Sequence, residues 1–259
     1  MFGKSNKHGR AVFICGAVMV LLFSSHVHAG RVLKVATGEW PPYVSSALSD
    51  FGCIASMVTQ ALALQGYTVE YTFLPWSRGY ARAKQGHYDA NVYWYRNKQR
   101  EKDFWLSKNN LSLERLGIYY LKGHVATGES YAEFKGKKIV FNPGFTYPDE
   151  LLGKINQYDI EVLEARTEPP NLEWMIKGRA DATVFSEKVA GSYLAALSIQ
   201  DREKVLKSNK LQGFLTGHVL FSRAVQDGEL IREAFDRGFE KLMSDEEYKY
   251  NYQHNCSQF

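Results

Sequence analysis

Gly86-His87-Tyr88-Asp89-Ala90-Asn91-Val92-Tyr93-Trp94-Tyr95-Arg96-Asn97-Lys98-Gln99-Arg100-Glu101-Lys102-Asp103-Phe104-Trp105-Leu106-Ser107 is the stretch on which the fold turns. After the turn glycine, Ala90, Val92 and Trp94 alternate with Asn91, Tyr93 and Tyr95, the period of a strand rich in aromatic side chains. A polar loop carrying Arg96 and Arg100 follows. In an open α/β sheet the ligand crevice lies outside the carboxyl ends of the strands. A planar, permanently charged guanidinium delivered there can grip a carboxylate through two N–H groups. The competing reading is a pair of solvated loop charges.

Upstream of this stretch, 31–37 reads as a strand that runs into Thr37-Gly38-Glu39-Trp40-Pro41-Pro42-Tyr43. Two prolines stop the strand and stiffen a loop that holds Trp40 and Tyr43 at its end, as a pocket wall or as a lid on the core. Ser49 or Asp50 caps a helix in which Ile54, Met57, Val58, Ala61 and Leu62 share a face, ending at Gly66. Then come an alternating strand over 67–73 and a helix opened by Leu74-Pro75-Trp76-Ser77-Arg78 and closed at Gly86. The order βαβαβ is half of a parallel, helix-covered sheet.

Downstream, 115–121 reads as a strand crossing into a second unit of the same kind. Its strand 138–141 leads into Asn142-Pro143-Gly144-Phe145-Thr146-Tyr147-Pro148, with Thr146 as the expected cap of a helix that offers free backbone N–H groups to an anion, or that is simply capped. A strand over 158–163, a helix over 170–177, a strand over 181–185 and a helix over 188–197 complete the repeat. The chain returns through 217–222 to an amphipathic helix over 227–243, and Ser244 with Glu247 forms a capping box for a terminal helix.

Residues 1–29 read as a signal peptide: Lys4, Lys7 and Arg10, an apolar run over 11–23 too short to span a bilayer, and Val27-His28-Ala29 as cleavage site. That segment holds three of the 32 Lys+Arg and none of the 28 Asp+Glu, so the remainder carries 29 basic against 28 acidic residues, a net charge of +1. No basic stripe is left for nucleic acid. The expected product is a soluble protein of the periplasm, with no further membrane span. His87, His124, His218 and His254 are scattered without ligand spacing, so neither metal nor cofactor is expected.

Taken together, Val35-Ala36-Thr37-Gly38-Glu39-Trp40-Pro41-Pro42-Tyr43, Leu74-Pro75-Trp76-Ser77-Arg78, Tyr88-Asp89-Ala90 with Arg100 and Ser107, and Gly178-Arg179-Ala180-Asp181-Ala182 resemble the bacterial extracellular solute-binding proteins of family 3. These are the amino-acid-binding components of ABC importers. The resemblance implies a two-lobed, type II periplasmic-binding-protein fold, each lobe a mostly parallel sheet flanked by helices and joined by two crossing segments. Lobe 1 would comprise 30–122 plus 222–259 and lobe 2 would comprise 123–221. It also implies that Cys53 and Cys256, placed in one lobe, form a disulfide, the other outcome being two buried thiols.

By the same resemblance Arg100 clamps a ligand carboxylate, with Asn97 where the family has a Thr. Ser186 stands where the family has an Asp for the ammonium group, and Glu187 is next to it. Either Glu187 takes that role or the ligand has no ammonium. Trp40, Tyr43, Trp76, Tyr93 and Trp94, with Arg78 beside them, would line the walls, and Thr146 would close from lobe 2. The expected function is capture of a small carboxylate, a polar or aromatic amino acid, by a monomer that delivers it to an ABC permease. The alternatives are a dehydratase on the same fold, with Glu187 as general acid, and a sensory module for another membrane partner.

Overall fold

A computed structural model of the protein describes residues 30–165 and 170–256; the expected signal peptide lies outside the described residues. The elements follow in the order β1 (Arg31–Thr37), α1 (Cys53–Ala63), β2 (Tyr67–Phe73), α2 (Trp76–Lys84), β3 (Ala90–Tyr95), α3 (Lys98–Asp103), β4 (Phe104–Leu106), β5 (Ser112–Leu121), β6 (Lys138–Phe141), α4 (Asp149–Gln157), β7 (Glu161–Glu164), α5 (Pro170–Ile176), β8 (Ala182–Ser186), α6 (Glu187–Ala195), α7 (Ile199–Arg202), β9 (Val205–Ser222), α8 (Gly228–Met243) and α9 (Glu246–Asn255). The strand order is β2-β1-β3-β9-β5-β8-β6-β7, with β4 also on β9. β1 runs parallel to β2 and β3, and β6 runs parallel to β7 and β8, whereas β5 and β9 are antiparallel to their neighbours.

Each half of this sheet buries its own core. In the first lobe Met57, Val58 and Leu62 of α1 belong to one cluster with Ile231, Phe235 and Phe239 of α8. The two helices approach so closely that a Cβ on Gly238 would stand 1.9 Å from the Ala61 carbonyl oxygen, which leaves glycine as the residue that fits. In the second lobe Leu116, Ile118, Phe134, Ile139, Leu151 and Val184 cluster.

β5 and β9 serve both lobes. Leu111 sits in the first core and Leu116 in the second; on the return, Leu215 packs on both and Val219 belongs to the first. The chain therefore passes between the lobes inside this strand pair, where Ser112 faces Gly217 and Leu116 faces Gly213. The lobe limits expected near 122 and 222 fall at the far ends of the same two strands.

Three local expectations are corrected. The return strand begins at Val205 rather than near Gly217, because polar, glycine-containing 207–213 lacks a strand's apolar alternation yet pairs with β5. α1 starts at Cys53 behind a short 3-10 turn at Ser49–Phe51, so neither Ser49 nor Asp50 is its cap. Asp245, not Ser244, caps α9, its side chain accepting from the Tyr248 N–H.

Cys53, opening α1, and Cys256, just after α9, are joined in a disulfide with their Cα atoms 5.6 Å apart and 203 residues between them in sequence. Closing so long a loop limits the unfolded chain and stabilises by about 5 kcal/mol in the chain-entropy model. The double variant Cys53→Ala/Cys256→Ala should lower the melting temperature by roughly 10 to 20 °C in thermal unfolding.

β9 also carries a buried histidine. His218 Nδ1 lies 3.0 Å from the Ser107 carbonyl and Nε2 lies 2.9 Å from Thr216 Oγ1. Burial pushes its pKa down from 6.5 to about 4, although the Ser107 carbonyl works the other way. Between those two values the unfolded chain binds a proton that the folded chain refuses, so stability is full above pH 6.5 and declines as pH falls towards 4. Urea unfolding across that window should show a loss of up to ~3 kcal/mol that is reduced in His218→Gln.

Candidate functional site

The carboxyl end of β3 delivers its cargo as the motif requires. Asn97 caps α3, its Oδ1 accepting from the Arg100 N–H at 2.8 Å, and that short helix turns the Arg100 side chain back over the sheet. There the guanidinium is buried, 4% exposed, with its carbon 4.5 Å from the centre of the Trp94 ring. Nη1 donates to the Tyr95 carbonyl and, at 2.7 Å, to Thr146 Oγ1; Nη2 donates to the Gly144 carbonyl at 3.1 Å. All three acceptors are neutral, and among the described residues no carboxylate stands within ion-pair distance. Burial lowers the Arg100 pKa to about 10, which still leaves the group charged at neutral pH.

Thr146 and Gly144 come from the second lobe, so Arg100 holds the lobes shut by its own hydrogen bonds. Asn97 adds a third link, Nδ2 donating to Thr146 Oγ1 at 3.0 Å. Thr146 is thus a cross-lobe acceptor and not the expected helix cap; α4 starts at Asp149 behind Pro148, without a side-chain cap.

Aromatic rings surround the guanidinium. Trp40, Trp76, Tyr93, Trp94, Tyr95 and Phe145 wall a small inner pocket of about 30 Å³ with Arg100 and Thr146. Trp40 is its hub, with ring centres 5.3 Å from Tyr95, 5.6 Å from Tyr93 and 6.2 Å from Trp76. Gly38 makes room for this packing, since a Cβ there would lie 2.4 Å from the Trp76 ring. A neighbouring cleft of about 330 Å³ shares Trp76, Trp94, Arg100 and Phe145 and adds Ser77, Tyr80, Gln99 and Asp103. Arg100 stands where the two spaces meet.

Several residues picked from sequence lie elsewhere. Arg78 is exposed on α2; Ser77 and Tyr80, its neighbours along the helix, reach the cleft instead. Arg96 turns outward to Glu101. Tyr43 sits behind the pocket wall, its ring 5.5 Å from Tyr93. Ser186 is buried and Glu187 pairs with Lys207 Nζ at 2.8 Å; neither lines the pocket.

Tyr43 and Ser186 instead converge on a residue the sequence did not single out. Glu114, 3% exposed on β5, accepts from Tyr43 Oη at 2.7 Å, Tyr93 Oη at 3.1 Å and Ser186 Oγ at 2.7 Å. Burial and this carboxylate both push the Tyr43 and Tyr93 pKa values up, which keeps them as neutral donors. Lys188 Nζ stands 5.6 Å over the Tyr43 ring, buried and without a hydrogen-bond partner among the described residues. Its pKa is lowered by burial, an effect Glu114 opposes. Glu114 therefore ties two tyrosines of the first lobe to a serine of the second at the crossing itself. Its removal strands the Tyr43 and Ser186 hydroxyls, while Tyr93 Oη keeps Ser112 Oγ, so Glu114→Ala should cost about 3 kcal/mol in denaturant unfolding, and Glu114→Gln, which keeps an acceptor, should cost less.

No family model matches the sequence, and no curated protein matches it. Solved structures share its fold. A putative L-cystine ABC transporter from Listeria monocytogenes has a TM-score of 0.69 at 16% identity, covering 87% of this chain and 95% of that one. A histidine kinase sensor domain with similarity to periplasmic binding proteins has a TM-score of 0.70 at 16% identity, with 88% and 96% covered. The ancestral amino-acid-binding protein AncCDT-1, a precursor of cyclohexadienyl dehydratase, has a TM-score of 0.67 at 18% identity, with 86% and 94% covered. Identities this low speak to architecture alone. Two lobes, two shared crossing strands and these neighbours make the fold that of the type II periplasmic binding proteins.

Proposed function

We propose that this protein is an exported solute-binding protein that captures a small carboxylate, an amino acid or an acid of similar size, between its lobes and hands it to an ABC permease. One observation carries the reading. Arg100 is a buried, charged guanidinium at the lobe interface whose acceptors are all neutral. A carboxylate taking the place of the Gly144 carbonyl and Thr146 Oγ1 would gain two charge-assisted hydrogen bonds in a site shielded from water. Contacts to both lobes at once favour the closed form, and closure is then the signal a membrane partner reads.

The remaining expectations fit this reading. An export signal over 1–29 would place the protein in the periplasm, and no helix of the described residues is long and apolar enough to cross a membrane. The protein would act as a monomer, with its lobes hinging on β5 and β9. A dehydratase would need Glu187 as a cleft acid, whereas its carboxylate is held by Lys207. Thermal-shift screening against amino acids, oxo acids and hydroxy acids should find a stabilising carboxylate that is recovered unchanged. A ligand at a hundred times its Kd stabilises by about 2.7 kcal/mol. Removing one partner of a buried charged pair costs about 2 to 5 kcal/mol, so Arg100→Ala should weaken that ligand at least ~30-fold by calorimetry. Unchanged affinity would take Arg100 out of the site.

A further inference from the structure

The inner pocket is charged on one side only. Among the described residues in its wall, Arg100 is the charged side chain, and the remainder are aromatic rings and Thr146. Acidic side chains around the cleft are committed to other partners: Glu114 to Tyr43, Tyr93 and Ser186, Glu187 to Lys207, and Asp103 to Lys84 and Tyr80 at 2.7 Å each. Tyr93 also separates Glu114 from the pocket, since its ring lines the wall while its hydroxyl faces the carboxylate.

Besides the Tyr95 and Gly144 carbonyls and Thr146 Oγ1, which accept from Arg100, the wall holds an unpaired N–H donor. Trp40 Nε1 is buried in the wall with no hydrogen-bond partner among the described residues, and such a donor gains from an oxygen acceptor and nothing from another N–H. A primary ammonium would carry three donors into a wall without a free carboxylate.

We infer that the cleft selects carboxylates that lack a primary ammonium group, with an aliphatic or aromatic body, over the amino acids of the same skeleton. The inference rests on the reading that Arg100 takes the ligand carboxylate. Its test is calorimetry on protein purified from cells expressing the full 259-residue sequence, using matched pairs: 3-phenylpropanoate against L-phenylalanine, and 4-methylpentanoate against L-leucine. The acid without the amine should bind at least ~10-fold more tightly in a pair, and Arg100→Ala should abolish that binding. An amino acid that binds as tightly as its partner, or more tightly, overturns the inference and leaves the carboxylate reading in place. No heat from any of the four, or binding that Arg100→Ala leaves unchanged, overturns the carboxylate reading and the inference with it.

Discussion

A guanidinium held away from water, with only neutral oxygens to face, sets the terms for this cleft. Desolvating Arg100 is costly, and carbonyl and hydroxyl acceptors offset that cost less fully than an anion does. Those acceptors come from both lobes: Tyr95 from the strand that delivers the arginine, and Gly144 and Thr146 from across the cleft. Three structural devices hold the arrangement. Asn97 starts the short helix that turns Arg100 inward, Trp94 lies under the guanidinium face, and Gly38 lets Trp76 close over the strand end.

The same interface explains why the lobes are coupled to the site. Because β5 and β9 lie in both halves of the sheet, a rotation of one lobe on the other strains the region where Glu114 sits. That carboxylate joins Tyr43 and Tyr93 to Ser186, so the aromatic wall of the pocket and the crossing strand share one hydrogen-bond network. A ligand that shifts Tyr93 acts on the hinge through two bonds. On the proposed function, an anion bound between the lobes would bias them through this network.

How much of this could be read from the sequence varies with the kind of signal. Strong periodicity placed the first βαβαβ unit, and the strand that ends in Tyr95 led to Arg100, Asn97 and the surrounding rings. Other features gave no such signal. Glu114 sits in Ser112-Leu113-Glu114-Arg115-Leu116, where a charged pair between two leucines reads as an ordinary solvated position; only the approach of Tyr43 and Tyr93 in space makes it a centre. Residues 207–213 are mostly polar, and pairing with β5 through the backbone asks little of side chains. Arg78 missed the cleft by helical phase: Ser77 and Tyr80, three residues apart, share the face that looks inward. Ser186 and Glu187 sat at the expected place along the chain, but Glu114 and Lys207 claim their side chains.

A crystal structure of the protein with a bound small carboxylate tests the central claim most directly. The account predicts carboxylate oxygens about 2.7 to 2.9 Å from Arg100 Nη1 and Nη2, taking the place of the Gly144 carbonyl and Thr146 Oγ1, with the ligand body against Trp40 and Trp76. Arg100 still bonded to Gly144 and Thr146, with the carboxylate held elsewhere, would contradict it.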